Sequence, residues 1–148
     1  MYENFKQGEI SINLKEISEE SEHVMLSSLN SKRDIKVTSN LEKNHFTVDI
    51  SLNIKGAILE YVGDLRLAND KDIKELEGIV SQYVNEQAKI MIKEMQKNNV
   101  DSLGMGKYVR NSLTYNQWSN LVWHDHYPNV EVLCNTKVSI KDYGKFGN

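Results

Sequence analysis

Residues 69–100, NDKDIKELEGIVSQYVNEQAKIMIKEMQKNNV, decide the fold because they predict one long amphipathic helix. Their apolar residues recur at spacings of three and four, which places them on one side of a helix with 3.6 residues per turn. This apolar stripe comprises Ile73, Leu76, Val80, Tyr83, Val84, Ala88, Met91 and Met95. The polar side comprises Lys71, Lys74, Glu75, Gln82, Glu86, Lys89, Lys93 and Lys97. We interpret the stripe as core; a cofactor site and a membrane-lying helix are the alternatives. Such a helix needs a flat partner, which the strands before and after it offer.

Both ends of this helix have sequence signals. Asn69 or Asp70 can cap its unpaired backbone N–H groups, and the charges of Asp70 and Asp72 suit the positive end of the helix dipole. At the other end, Lys97 followed by Asn98 indicates a helix stop.

Three stretches alternate between apolar and polar residues, which is typical of half-buried strands. They are residues 9–15, 46–55 and 129–141. Gly56 indicates a bulge or bend, after which the second strand is predicted to continue through Ile58 and Tyr61 with its alternation shifted by one residue. The third is predicted to be a long strand paired in the middle of the sheet, with one face formed by Val130, Val132, Cys134, Thr136, Val138 and Ile140.

Residues 23–39, HVMLSSLNSKRDIKVTS, have a less regular pattern. Their first part suits either a helical turn or a strand, whereas Ile35 and Val37 favour a strand. We expect one extended, interrupted strand, followed by a turn at residues 40–44.

Two short helices are predicted after the long one. Asp101 or Ser102 can cap the first, within residues 101–110, and its two glycines, Gly104 and Gly106, suggest close backbone packing against the long helix. Residues 111–113 suggest a turn. Thr114 can cap a second helix that runs to Pro128, because the residue before a proline disfavours helix.

The predicted order is β-β-β-α-α-α-β. It indicates an α+β fold: an antiparallel sheet of about four strands, with one long and two short helices packed on one face. Strands that are apolar on one face only favour this over a parallel sheet covered on both faces. A length of 148 residues suits a single domain, residues 1–148.

Composition excludes several function classes. The net charge is −3 with both signs interspersed, so there is no basic stripe for nucleic acid. No apolar run approaches the roughly 20 residues that a membrane span needs. Cys134 is the single cysteine, which excludes an intramolecular disulfide and a cysteine-rich zinc site.

Candidate chemical groups do not assemble into a catalytic set in the sequence. His124 and His126 are potential zinc ligands, but on a helix their rings point about 200° apart, so we expect exposed residues at a helix end. Cys134 lies mid-strand on an apolar face, where a buried, inert thiol is expected. The acidic pair at residues 19–20 is expected to be solvated. We predict no catalytic residue, metal or cofactor.

A series of motifs in the second half resembles the C-terminal domain of the Ger(x)C family, the C subunits of spore germinant receptors. The family pattern is D-x-x-G-x-G, then W-x(4)-W before an F/Y-P pair, and a closing strand that ends near a glycine. This sequence matches it at Asp101, Gly104, Gly106, Trp118, Trp123, Tyr127, Pro128 and Gly144. We interpret these residues as structural. The resemblance extends through residues 46–60 and, more loosely, to the start of the chain.

The resemblance implies a non-catalytic receptor subunit in spore germination. Members of this family are lipoproteins on the outer face of the spore inner membrane, and they act with membrane subunits A and B. The N-terminus MYENFKQGEI has no apolar signal region, so we expect a soluble C-terminal fragment whose lipid anchor lies outside this sequence.

Two other functions remain as hypotheses. One is a small-molecule domain that binds the nutrient germinant in a pocket near Trp118 and Trp123. The other is a metal hydrolase that uses His124 and His126.

Overall fold

The computed structural model describes residues 9–13, 23–63 and 69–141. The described strands are β1 (Glu9–Asn13), β2 (His23–Asn40), β3 (His45–Val62) and β4 (Glu131–Lys141). The described helices are α1 (Asp70–Lys97), α2 (Met105–Ser112), α3 (Tyr115–Ser119) and α4 (Trp123–His126), with 3₁₀ turns at Leu41–Lys43 and Tyr127–Asn129. The predicted solvated acidic pair at residues 19–20 and the glycine at 144 lie outside the described residues.

The four described strands form one antiparallel sheet in the order β1-β2-β3-β4, which confirms the α+β class. In the β1–β2 pair, Ile10 lies opposite Leu26 and Ile12 lies opposite Val24. Strand β4 stands at one end of this order, so the prediction that it pairs in the middle of the sheet is wrong. Length and alternation report that one face of a strand is buried, but they do not report how many neighbours it has.

Strands β2 and β3 have nearly the extents that the sequence predicted. Residues 23–39, whose pattern was less regular, belong to one continuous strand of 18 residues without the predicted interruption. In β3 the buried positions continue every second residue through Gly56 to Ile58. The alternation then shifts by one residue, since Leu59 and Glu60 are both exposed and Tyr61 packs against the core. The predicted shift is therefore present, but it follows Ile58 and not Gly56. A Cβ atom on Gly56 would lie 3.2 Å from the Ser27 carbonyl oxygen. Glycine there allows close approach of the neighbouring strand.

Helix α1 begins and ends as its sequence indicated. The Asn69 side-chain oxygen accepts a hydrogen bond from the Lys71 backbone N–H at 2.9 Å, so Asn69 is the cap. At the C-terminus, Asn99 adopts a left-handed conformation with φ of 54°. The Val100 N–H then donates to the Met95 carbonyl at 2.8 Å, which closes the helix in the manner of a Schellman motif.

The chain divides into two compact units. The first comprises Met1–Arg33, Leu52–Val84 and Thr136–Asn148, and the second comprises Asp34–Ser51 and Asn85–Asn135. In the first unit, the N-terminal half of α1 packs on the sheet through a cluster formed by Val24, Leu26, Ile54, Ile58, Ile73, Leu76, Val80, Val138 and Ile140. The apolar stripe of α1 is therefore core in this unit.

The sequence predicted one continuous third helix, but the structure has two short helices in its place. Helix α3 ends at Ser119, Val122 is extended, and α4 begins at Trp123. Pro128 does not end an α-helix but lies inside the following 3₁₀ turn. The predicted capping by Thr114 is confirmed, because its hydroxyl accepts from the Gln117 N–H in a capping box. The start of the predicted turn at residues 111–113 is also wrong, since α2 continues to Ser112.

Candidate functional site

Two of the family-motif residues, Gly106 and Trp123, donate hydrogen bonds to the carboxylate of a third, Asp101. Its Oδ1 accepts a hydrogen bond from the Met105 backbone N–H at 2.7 Å, and its Oδ2 accepts from the Gly106 N–H at 2.8 Å. The same Oδ2 accepts from the indole Nε1 of Trp123 at 3.2 Å. Asp101 thus satisfies the start of α2, as the sequence predicted, and also holds an aromatic side chain that comes 22 residues later.

Both glycines of the motif are required by the local geometry. Gly104 precedes α2 in a left-handed conformation with φ of 69°, which glycine adopts without strain. A Cβ on Gly106 would lie 2.7 Å from the Trp123 indole nitrogen. Gly106 therefore makes room for an indole. The predicted close packing is wrong for Gly104, where a Cβ would meet no atom of the described residues within 4 Å.

Three aromatic rings form a ladder beside Asp101. The ring centroids of Trp118 and Trp123 are 6.5 Å apart, and those of Trp123 and Tyr127 are 5.6 Å apart. Tyr127 is 1% exposed, and its hydroxyl donates to the Val100 carbonyl at 2.7 Å. Burial, with a smaller contribution from the negative charge of Asp101, raises the pKa of Tyr127 to about 12. The ladder therefore joins α3, α4 and the segment that follows α1.

Gln96 is a further member of this region that the sequence analysis missed. Its side-chain amide donates to the Tyr127 carbonyl at 3.0 Å and to the Val130 carbonyl at 2.8 Å. The available signal was its spacing: Gln96 follows Ile92 by four residues and is thus a polar residue on the buried side of α1. We use "motif cluster" below for Asp101, Gly104, Gly106, Trp118, Trp123, Tyr127 and Pro128.

The two histidines considered as zinc ligands have different surroundings. The exposed His124 has its Nε2 3.0 Å from the Asn99 side-chain nitrogen, and its carbonyl accepts from the same amide. The His126 ring lies edge-on to Phe46, with centroids 6.1 Å apart. Within the described part of the chain, no three His, Cys, Asp or Glu side chains are grouped so that they could hold a metal ion.

A cleft of about 220 Å³ lies between α1 and β4 within the second unit. Its apolar lining comes from Ile92, Val130, Val132 and Cys134, and its polar lining comes from Lys89, Lys93 and Gln96. Cys134 was predicted to be buried, but it is only half-buried because this cleft exposes it. The cleft contains neither tryptophan, so it differs from the predicted pocket near Trp118 and Trp123.

The fold and the motif cluster agree with the comparison to known families. Residues 1–144 match the family model described as spore germination B3/GerAC like, C-terminal, so the chain belongs to this family of spore germination proteins.

Among individual relatives, the chain is 25% identical over 142 residues to the spore germination protein GerQC of Bacillus cereus. That match covers 96% of this chain and 38% of the relative. The crystal structure of the GerBC protein superposes with a TM-score of 0.74 at 14% identity, over 92% of this chain and 41% of that one. This likeness shows a shared fold, and the chain spans about two fifths of the length of either protein.

Proposed function

We propose that this chain is the C-terminal domain of the C subunit of a nutrient germinant receptor. It acts in spore germination through contacts with other proteins and without catalysis. The observation that carries this proposal is the family match over residues 1–144.

The motif cluster supports a structural role for the family residues. Both oxygens of Asp101 accept hydrogen bonds from within the chain, and the polar groups of Trp123 and Tyr127 each donate one. Groups that satisfy each other in this way stabilise a local arrangement of helices. A function carried by contacts then falls to the surfaces that this arrangement supports.

The family resemblance also suggests the partners and the location. We propose that the A and B membrane subunits of the receptor are the partners, at the outer face of the spore inner membrane. A lipid on the parent protein would supply the attachment. Among the described residues, no helix has both the length and the apolar character needed to cross a membrane.

Deletion in the full-length protein tests this proposal. Spores would carry the full-length lipoprotein with or without the region equivalent to residues 1–144, at matched levels on immunoblots. Crosslinking in spore membranes would measure its association with the A and B subunits, and light scattering would follow germination after nutrient addition. We expect loss of germination together with loss of crosslinks. Normal germination and normal crosslinks after deletion would contradict the proposal.

A second function is favoured by the aromatic ladder. Trp118 and Trp123 are both half-buried, and their indole rings are tilted by 38° with centroids 6.5 Å apart, so their aromatic faces can offer apolar surface to a small ligand. Because these are the two tryptophans of the chain, its fluorescence reports on the ladder directly. Titration with nutrient amino acids and sugars would show a saturable change if the ladder binds the germinant. A linear or absent response would remove this function.

A further inference from the structure

The cleft between α1 and β4 combines an apolar floor with a basic rim. Ile92 and Val130 are buried at its base, whereas Lys89 and Lys93 are exposed. None of the described residues that line it is acidic, although the chain as a whole has a net charge of −3. The charges on the lining itself are therefore the two positive charges of Lys89 and Lys93, and they favour an acidic occupant.

The basic rim follows the helical period. Lys89, Lys93 and Lys97 are four residues apart, which places them in one row along α1. At a rise of about 1.5 Å per residue, neighbouring lysines in this row are about 6 Å apart along the helix axis. In an extended chain, alternate residues are about 6.6 Å apart. Carboxylates at every second residue of an extended segment therefore match the spacing of the lysines.

Size and side-chain direction complete the match. A volume of about 220 Å³ is below the range of roughly 300–1,000 Å³ that is usual for pockets of drug-sized ligands. It suits one or two apolar side chains. In an extended segment the residues between the acidic ones point the opposite way, toward the floor. Lysine side chains are long enough to lie along the apolar wall and still reach the outward carboxylates.

We propose that this cleft docks an extended acidic–apolar segment of a partner protein, with a pattern such as acidic–apolar–acidic. Lys89 pairs with the exposed Glu86 at 3.6 Å, and a surface pair of this kind is weak enough to exchange for a partner's carboxylate. The inference deepens the proposed contact function and rests on it for its biological setting. Its test uses the purified chain alone, so its failure can be told apart from failure of the spore experiment.

A peptide selection tests the proposal while the partner protein is still unidentified. A phage-displayed random peptide library would be selected on the wild-type chain and on the K89E/K93E variant. K71E/K74E is the matched control, since it reverses two exposed lysines near the other end of the same helix. Circular dichroism would verify that each variant is folded. If K89E/K93E were unfolded, the charge-neutralising variant K89Q/K93Q would be used in its place. Selected peptides would then be measured by fluorescence anisotropy.

The wild type and the control should both enrich acidic–apolar peptides, and K89E/K93E should bind them about tenfold or more weakly. Cys134 supplies a second readout, because it lines the cleft and is the single cysteine of the chain. A bound peptide should slow its reaction with a small thiol reagent. The proposal is overturned if no such peptide is enriched, if all three proteins bind alike, or if Cys134 is not protected. Displacement of the peptide by free glutamate or hexanoate at equal concentration would also overturn it, in favour of a small carboxylate ligand.

Discussion

Replacing Asp101 by alanine removes one carboxylate that accepts three hydrogen bonds. Two of these come from the first turn of α2, at 2.7 and 2.8 Å, and the third comes from the Trp123 indole at 3.2 Å. The variant therefore removes the cap of a helix and the polar anchor of the aromatic ladder at the same time.

The expected cost can be worked from these contacts. Loss of a side-chain cap at a helix start costs about 1 kcal/mol. A partly buried indole N–H left without an acceptor costs about 1–2 kcal/mol more. Because the lost acceptor is charged, we take the upper end of this range, and the total loss of stability is about 3 kcal/mol. For a chain of this size, 1 kcal/mol shifts the midpoint of thermal unfolding by about 2–4 °C. We therefore expect a fall of about 6–12 °C.

Unfolding in urea, followed by circular dichroism and by tryptophan emission, measures this difference. Asp34→Ala is the control, since Asp34 is exposed on β2 and its replacement should change the free energy of unfolding by less than about 0.5 kcal/mol. Emission from native Asp101→Ala should also differ from the wild type, because the indole loses its partner. If Asp101→Ala and Asp34→Ala are equally stable and the emission is unchanged, the carboxylate does not hold the ladder together.

Three further predictions concern neighbouring residues. Tyr127→Phe should lower the free energy of unfolding by about 1 kcal/mol at neutral pH, because it removes the hydrogen bond from the Tyr127 hydroxyl to the Val100 carbonyl. Because the folded pKa of Tyr127 is raised to about 12, the wild type should lose stability between pH 10 and 12 as the unfolded tyrosine ionises first, and its advantage over Tyr127→Phe should shrink. An advantage that stays constant in urea unfolding up to pH 11.5 would refute the raised pKa. Gly106→Ala should destabilise the fold, because its new methyl group would collide with the Trp123 indole. The control Gly78→Ala, on an exposed part of α1 with open space around it, should stabilise the fold by about 0.5–1 kcal/mol. Equal changes in the melting temperatures of the two variants would contradict the contact. Gln96→Leu leaves two carbonyls without their donor and should cost about 1–3 kcal/mol, against less than about 0.5 kcal/mol for the exposed Gln82→Leu. Similar urea midpoints for these two variants would show that the Gln96 bonds contribute no net stability.

Much of the fold was predictable because burial leaves a period in the sequence. The apolar stripe of α1 repeats with the helical period and the inward face of β3 repeats with a period of two, so both elements were identified by type and extent. Capping by Asn69 and Thr114 was also readable, because a cap acts on backbone groups only two or three residues away. The errors lie where a distant contact overrides a local signal. The break between α3 and α4 places Trp123 against Gly106 and Asp101, and no local pattern encodes that meeting.

The motif cluster shows the same division between local and distant information. The spacing of its residues was enough to suggest the family and its role in germination, since spacing is a property of the chain itself. The partners of their polar atoms are 4 to 27 residues away along the chain, as in Asp101 with Met105 and Tyr127 with Val100. The row of lysines follows from the helical spacing along α1, whereas the cleft beside it depends on how α1 and β4 lie together in the second unit. The sequence by itself determined which segments form helices and strands, because periodic burial is written along the chain. Only the tertiary structure decided which side chains meet and where the cleft lies, because those contacts depend on packing between segments far apart in sequence.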